Sequence, residues 1–314
     1  MPVNYLNKDA AGNVYDFAFG MNWSGVINDS RVKRWGGRNI ENVQEMEQAL
    51  AKGKWQTDTI NPKIILHKGA FYGTLFGSNQ SICVLEVAPG ARMDIVPAAE
   101  GTLETTSDLT KKTGAVAAVN GSFFNMKPPY GSITYLKVDG ELISPNKRGN
   151  DLITQGCVAT NGCYLGIAAA PDLGKKSPDE ASGEEGREPW ENAVEGEDVL
   201  TSGPVLILNG ACIDFGEESL NTTRHPRTAV GRRPDGTSIF VTADGRHREA
   251  AGLSMRETQL LMAALGCSQA LNLDGGGSTT MIVNGEVVNH PCDNKLFDAA
   301  GQRKVANAIC ISNP

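Results

Sequence analysis

The chain has 314 residues, of which 40% are hydrophobic, so it is long enough to bury a substantial core in one large domain or two small ones. Its formal net charge of -7 argues against the basic surface of a nucleic-acid-binding protein. No segment approaches the roughly 20 apolar residues of a membrane span, and the first residues lack the apolar stretch of a signal peptide, so neither feature is predicted.

The first predicted element is a short amphipathic helix in residues 39–52. Its apolar residues recur at helical spacing and are Ile40, Val43, Met46 and Leu50. Asn39 is the predicted N-cap, and Gly53 ends the helix. Because strand patterns begin only after this segment, we interpret residues 1–58 as an N-terminal appendage and residues 59–314 as the main domain.

From residue 64 onward, short apolar runs alternate with glycine-containing turns, which indicates a strand-rich architecture. Four dipeptides that favour hairpin turns separate such runs: Asp139-Gly140, Asn161-Gly162, Asn209-Gly210 and Asn284-Gly285. Helices are predicted in residues 103–113 and 254–265, and Ser254 and Glu257 have the spacing of a capping box in the second. The predicted fold class is α+β, with a mixed, largely antiparallel sheet and few helices.

Residues 171–198 differ from the rest of the main domain because they are strongly acidic and contain scattered glycine and proline. Such a composition buries little apolar surface, so we predict a mobile acidic insertion at the surface.

The seven cysteines cannot all pair within the chain, since seven is an odd number. Three of them, Cys83, Cys267 and Cys310, lie in apolar runs where a free thiol packs as a small hydrophobic group. Cys157 and Cys163 are spaced for a bridge across a hairpin. We predict mostly free thiols, with the Cys157–Cys163 bridge as the alternative.

Polar residues stand at the ends of several apolar strands: Asn120, Arg227, Asp244 and Asp274. Each has a structural explanation when taken singly, because Asn-Gly and Asp-Gly are ordinary turn dipeptides and an arginine can pair with any surface acid. Glu257 likewise can serve only as the capping-box partner. If the strands share a sheet, however, their ends line one cleft, and Asp274 followed by three glycines forms its centre.

Several other kinds of site lack their sequence signatures. The chain contains no phosphate-binding loop of the G-x-x-x-x-G-K-[ST] type, no G-x-S-x-G nucleophile elbow and no H-E-x-x-H zinc motif. A divalent cation held by Asp244 and Asp274 is an alternative that no loop template supports. We therefore predict no metal and no cofactor.

Six sequence blocks and the predicted helix that carries Glu257, which lies between the fourth and fifth blocks, resemble the phosphodiester glycosidase family over roughly residues 60–314. The blocks are Asn120-Gly121-Ser122-Phe123-Phe124, Thr201-Ser202-Gly203-Pro204, His225-Pro226-Arg227-Thr228-Ala229-Val230-Gly231, Asp244-Gly245-Arg246, Asn272-Leu273-Asp274-Gly275-Gly276-Gly277-Ser278-Thr279-Thr280-Met281 and Arg303-Lys304-Val305-Ala306-Asn307-Ala308. The resemblance implies a bacterial or phage hydrolase that removes a sugar similar to N-acetylglucosamine from a small-molecule or glycan sugar-1-phosphodiester. The bond broken would be the glycosidic C–O bond, which would make residues 59–314 a catalytic domain.

The resemblance also implies roles for the residues of the predicted cleft. The catalytic carboxylates would be Asp274, Asp244 and Glu257. The phosphate would be bound by Arg227 and secondly by Arg246, because guanidinium groups suit phosphate oxygens. Further contacts to the substrate would come from Asn120, His225, Gly275, Gly276, Ser278 and Thr279.

Two alternatives remain open at this stage. One is a carbohydrate-binding or envelope-associated module without turnover, and the other is a metal-assisted phosphodiesterase that cleaves the P–O bond. The sequence determines neither the sugar, nor the oligomeric state, nor the compartment, although the family that the chain resembles is often exported or luminal.

Overall fold

The structure, a computed structural model, describes residues 40–146, 152–171, 173, 189–214, 219–294 and 296–313. Its α-helices are α1 (Val43–Leu50), α2 (Thr106–Thr113), α3 (Ser219–Thr222) and α4 (Met255–Ala264). Short 3-10 helices span Leu152–Thr154, Trp190–Ala193 and Gly276–Ser278. Among the described residues, no helix has both the length and the apolar character needed to cross a bilayer.

The largest sheet has eight strands. In spatial order they are β1 (Lys54–Asn61), β2 (Ile64–Leu75), β3 (Ser78–Val87), β16 (Ser238–Ala243), β15 (Arg227–Arg232), β17 (Gln269–Asn272), β13 (Val205–Leu208) and β14 (Ala211–Cys212). We call it the main sheet.

Two further sheets have five strands each. The second sheet contains β11 (Leu165–Ala169), β10 (Gly156–Thr160), β12 (Asp198–Ser202), β8 (Leu136–Val138) and β9 (Glu141–Ser144). The third sheet contains β19 (Glu286–Val287), β18 (Met281–Val283), β5 (Ala117–Asn120), β22 (Asn307–Ser312) and β4 (Arg92–Pro97). Two small hairpins complete the fold: β6 (Phe124–Asn125) with β7 (Gly131–Ser132), and β20 (Cys292–Asp293) with β21 (Leu296–Phe297). All the strand pairs in the described residues are antiparallel, so the predicted α+β class with a largely antiparallel sheet is confirmed.

The central hydrophobic core lies between the three sheets and takes side chains from each of them. Strand β3 shows how the sequence builds it. Successive side chains of a strand point to opposite faces, so Cys83 and Leu85 enter the central core while Ile82 and Val84 face a second core under α1 and α4. The strand is buried on both faces, which explains why it appears in the sequence as a continuous apolar run.

Helix α4 begins as predicted, because the Ser254 side chain accepts from the Glu257 N–H and the Glu257 carboxylate accepts from the Ser254 N–H. Helix α1 begins later than predicted: its N-cap is Asn42, whose side chain accepts from the Glu45 N–H. The four predicted hairpin turns are all present, since each dipeptide joins two paired strands.

The predicted boundary at residue 58 falls inside β1, and Met46 of α1 is fully buried in the core beneath the main sheet. Residues 40–58 are thus continuous with the main domain, whereas residues 1–39 lie outside the described part. Most of the predicted acidic insertion also lies outside it. The last residues of that segment are built into the fold, because the Glu191 and Asp198 side chains are buried.

All seven cysteines lie within the described residues, and all are free thiols. Cys157 is buried in β10 whereas Cys163 is exposed, so the alternative of a Cys157–Cys163 bridge is wrong.

Candidate active site

Three polar residues meet at one edge of the main sheet because neighbouring strands run antiparallel. Arg227 begins β15 and pairs with Ala243, the last residue of β16, so Asp244 follows beside it. Strand β17 ends on the other side of β15, where the Leu273 N–H donates to Thr228 O at 2.9 Å. Asp274 is the next residue. The sequence-predicted cleft at these strand ends therefore has a physical basis in the topology.

A loop that contains the three glycines crosses from the main sheet to the third sheet. It leaves β17 after Asn272, carries Asp274 and enters β18 at Met281. Asn120, at the end of β5, fixes this crossing: its Nδ2 donates to Asp274 O at 2.6 Å, and its Oδ1 accepts from Thr228 Oγ1 at 2.8 Å and from the Thr280 N–H at 3.1 Å. The Asn120 side chain is fully buried, so the structure gives it the position of a scaffold for Asp274.

Asp274 is half-buried, and its carboxylate is close to several groups that act on its charge. Burial raises the pKa of Asp274 to about 6, although the Ser278 hydroxyl, the Arg303 and Arg246 charges and the Gly275 N–H oppose the rise. The carboxylate is therefore mainly ionised at neutral pH but takes up a proton in mildly acidic solution. Such a group can act as a nucleophile, a base or a stabiliser of positive charge.

Asp244 occupies a different environment, with 1% of its surface exposed. Its carboxylate accepts from Ser81 Oγ at 2.6 Å, from Asn289 Nδ2 at 2.9 Å and from the His290 N–H at 2.9 Å. Burial raises the pKa of Asp244, and these donors and the His290 charge counteract the rise. Three donors engage the carboxylate, so this residue ties the β16 end to residues 289 and 290.

Arg246 is the exposed cation of the site, and its backbone has a φ of 62°, a left-handed conformation that non-glycine residues rarely adopt. Its Nε donates to His225 Nδ1 at 3.3 Å. Burial and the charges of Arg227 and Arg246 lower the pKa of His225, which fits a neutral ring that accepts this hydrogen bond. In the described residues, neither terminal nitrogen of Arg246 has a hydrogen-bond partner.

Two of the predicted site residues, Arg227 and Glu257, have side chains that are engaged in hydrogen bonds within the protein. The Arg227 side chain is buried, and it donates from Nε to Leu253 O at 2.9 Å and from Nη2 to Thr223 O at 3.0 Å. Glu257 is bound through both carboxylate oxygens by Arg224. It lines a separate cavity of about 360 Å³ whose walls include neither Asp274 nor Arg246.

Sequence analysis did not assign a role to Arg303, which the structure places beside the glycine loop. Its Nε and Nη2 both donate to Asp293 Oδ1, at 3.1 and 2.5 Å. The guanidinium covers Gly277 so closely that a side chain at that position would collide with it. The available signal was the position of Arg303 in one of the six blocks, four residues before the last strand begins at Asn307.

Asp293 lies on the β20–β21 hairpin, which aromatic stacking fixes in place. Phe297 stacks on His247 with ring centroids 4.6 Å apart and on His290 with centroids 5.3 Å apart. His290 Nδ1 also contacts Asp298 Oδ2 at 2.7 Å. Burial alone would lower the pKa of His290, but the Asp298 hydrogen bond and nearby acidic charges raise it.

The glycine loop ends in buried hydroxyl groups. Thr279 Oγ1 has no hydrogen-bond partner in the described residues, although its side chain is almost fully buried. Across the described ranges, no set of three or more His, Cys, Asp or Glu side chains is arranged to hold a metal ion.

The sequence of the chain is similar to known proteins over part of its length. A family model described as phosphodiester glycosidase matches residues 113–312, more than half of the 314 residues. The SPbeta prophage-derived uncharacterized protein YomE of Bacillus subtilis is 36% identical over 91 residues, which cover 29% of this chain and 13% of that protein. The N-acetylglucosamine-1-phosphodiester alpha-N-acetylglucosaminidase of Mus musculus is 34% identical over 91 residues, covering 28% of this chain and 17% of the mouse protein. These matches span less than a fifth of either relative.

The fold is also similar to solved structures. The catalytic domain of zebrafish N-acetylglucosamine-1-phosphodiester alpha-N-acetylglucosaminidase aligns with a TM-score of 0.60 at 17% identity, covering 83% of this chain and 88% of that one. A hypothetical protein from Synechocystis aligns with a TM-score of 0.58 at 15% identity, covering 83% of this chain and 64% of that one. At these identities the likeness concerns the fold alone.

Proposed function

The chain belongs to the phosphodiester glycosidase family, and from that premise we propose that it removes a sugar from a sugar-1-phosphodiester by cleaving the glycosidic C–O bond. The observation that carries the proposal is the half-buried Asp274 carboxylate beside a glycine loop over which the Arg246 and Arg303 guanidinium groups lie. Such a site pairs an acid for the anomeric carbon with cations for a phosphate. The name of the mouse relative suggests N-acetylglucosamine as the sugar.

In the proposed reaction, the bond between the anomeric carbon and the phosphate oxygen breaks, and its electron pair stays on that oxygen. Water supplies the hydroxyl group of the released sugar, and one proton is released. The phosphodiester carries one negative charge and the phosphomonoester product carries up to two, so nearby cations stabilise the charge that develops. Because a phosphomonoester is a good leaving group, a second acid is not required to protonate it.

Asp274 is the carboxylate that we assign to the anomeric centre, where its ionised form stabilises the positive charge of an oxocarbenium-like transition state. Asp244 positions residues around the site because its oxygens are engaged by three donors. Turnover should fall as the pH drops through about 6, since protonation removes the Asp274 charge.

The test is hydrolysis of N-acetylglucosamine 1-(methyl phosphate) in oxygen-18 water by the wild-type protein and by Asp274→Asn. We expect label in the released sugar and a large loss of turnover in the variant. The matched control is Glu286→Gln, which removes an exposed carboxylate on β19 and should retain turnover. Label in the phosphate would instead establish P–O cleavage, and binding without any turnover would establish a carbohydrate-binding module.

A further inference from the structure

Arg246 and Arg303 both cover the glycine loop, and each lies over one of two consecutive glycines. The Arg246 guanidinium lies over Gly276, where an added Cβ would be 2.9 Å from its Nη2. Gly276 also has a φ of 61°, so that position favours glycine for two independent reasons. The Arg303 guanidinium lies over Gly277 in the same manner. The glycines therefore admit two arginine side chains to the loop, where the sequence alone had suggested that they admit the substrate.

The two guanidinium groups keep unused donors in the described residues. Arg303 directs both Nε and Nη2 at a single oxygen of Asp293, which leaves its Nη1 without a partner. Arg246 keeps both terminal nitrogens without a partner. A guanidinium fork matches two oxygens of a phosphate, so the unpaired donors of the exposed Arg246 and the half-buried Arg303 are available to bind one.

We propose that Arg303 and Arg246 together form the phosphate subsite, with the phosphate held across the glycine loop next to Asp274. The proposal rests on the proposed function and makes it specific: the ligand class is a phosphate group that carries up to two negative charges, and the product phosphomonoester binds more tightly than the diester. The predicted phosphate ligand Arg227 instead uses its Nε and Nη2 to donate to the carbonyl oxygens of Leu253 and Thr223.

Asp293 is a positioning residue in this scheme. It lies on the β20–β21 hairpin, which is held in place by the stacking of Phe297 on His247 and His290. Its carboxylate holds the Arg303 side chain, of which 19% is exposed, against the loop. Because Asp293 already fixes the Arg303 side chain before a ligand binds, less side-chain conformational entropy is lost on binding.

The experiment measures the affinity of inorganic phosphate at pH 8 by calorimetry, which requires no turnover. Arg303→Gln and Arg246→Gln should each weaken binding roughly tenfold or more, as expected for the loss of a charge-assisted hydrogen bond. The matched control is Lys304→Gln, which removes the same charge from an exposed neighbour and should bind phosphate as the wild type does. Arg303→Lys, which keeps the charge but not the fork, provides a second variant if Arg303→Gln does not fold.

A kinetic arm separates this inference from the proposed function. Arg303→Gln should lower kcat/KM for the sugar phosphodiester and change it little for a neutral aryl glycoside of the same sugar. Phosphate binding that depends on Arg303, in a protein without turnover of any sugar phosphodiester, would support the subsite and refute the proposed function. If Arg303→Gln and Lys304→Gln bind phosphate with equal affinity, the proposed subsite is wrong.

Discussion

Replacement of Asp274 by asparagine should remove activity and at the same time stabilise the protein at neutral pH. In the folded state the pKa of Asp274 is about 6, compared with 3.8 for an unperturbed aspartate. Above pH 6 the carboxylate is ionised in both states, but ionisation is harder in the folded protein. The shift of about two units corresponds to about 3 kcal/mol of native-state destabilisation, which an uncharged asparagine avoids.

The pH dependence of this stability difference tests whether the raised pKa of Asp274 is its cause. Well below pH 3.8 the group is protonated in both folded and unfolded protein, so its ionisation contributes nothing to stability. Between pH 4 and 6 the folded state binds more protons than the unfolded state, and the wild type loses stability as the pH rises. The difference in unfolding free energy between Asp274→Asn and wild type should therefore increase over this range by about 3 kcal/mol and stay level above it.

Urea denaturation of both proteins at pH values from 4 to 8 measures this difference. Glu286→Gln provides the control, since it removes an exposed carboxylate on β19, outside the site. A constant difference for Asp274→Asn across the series would refute the reasoning, because it would mean that the folded protein does not resist ionisation of Asp274. A difference that shrinks with rising pH would mean that the two arginines overcome the effect of burial.

Other substitutions test the remaining parts of the site. Glu257→Gln should lower the unfolding free energy by roughly 1–2 kcal/mol through the weakened helix cap and leave turnover near wild type, whereas loss of turnover in a folded variant would restore its predicted catalytic role. Gly276→Ala should raise KM for the phosphodiester, since its side chain displaces the guanidinium above it; an unchanged KM would contradict the close approach. Asp244→Ala should destabilise by roughly 2–4 kcal/mol in thermal or urea unfolding, because three buried donors lose their acceptor, and a stable variant would argue against that network. Ellman's reagent should react rapidly only with Cys163 and Cys212 in the native protein, and a third fast thiol would show that a buried cysteine is accessible.

Local signals in the sequence were sufficient for many elements of this fold. The hairpin turns depend on dipeptides that adopt the required backbone angles, and the capping box of α4 depends on two residues three positions apart. The start of α1 was predicted three residues too early because Asn39 and Asn42 are equally good caps in isolation. Which of them caps the helix depends on how Met46 and Leu50 pack beneath the main sheet, and that packing is a long-range property.

The strand-end residues of the site were recognised together, but their individual environments were not predictable. Sequence patterns mark Asp244 and Asp274 alike as acids after apolar strands. Only the structure shows that three donors surround the first, while the second stays half-buried beside two cations. Arg303 was overlooked for the same reason, since it reaches the loop from a hairpin-supported position about 30 residues away in the chain.

The Asn120 side chain has a consequence for how activity should respond to partial unfolding. It joins the end of a third-sheet strand to both Thr228 of the main sheet and the loop that carries Asp274. The geometry of the candidate site therefore depends on contact between two sheets, and neither sheet contains it alone. During refolding, we expect turnover to recover only once both sheets are in contact, so the proposed reaction would report that contact.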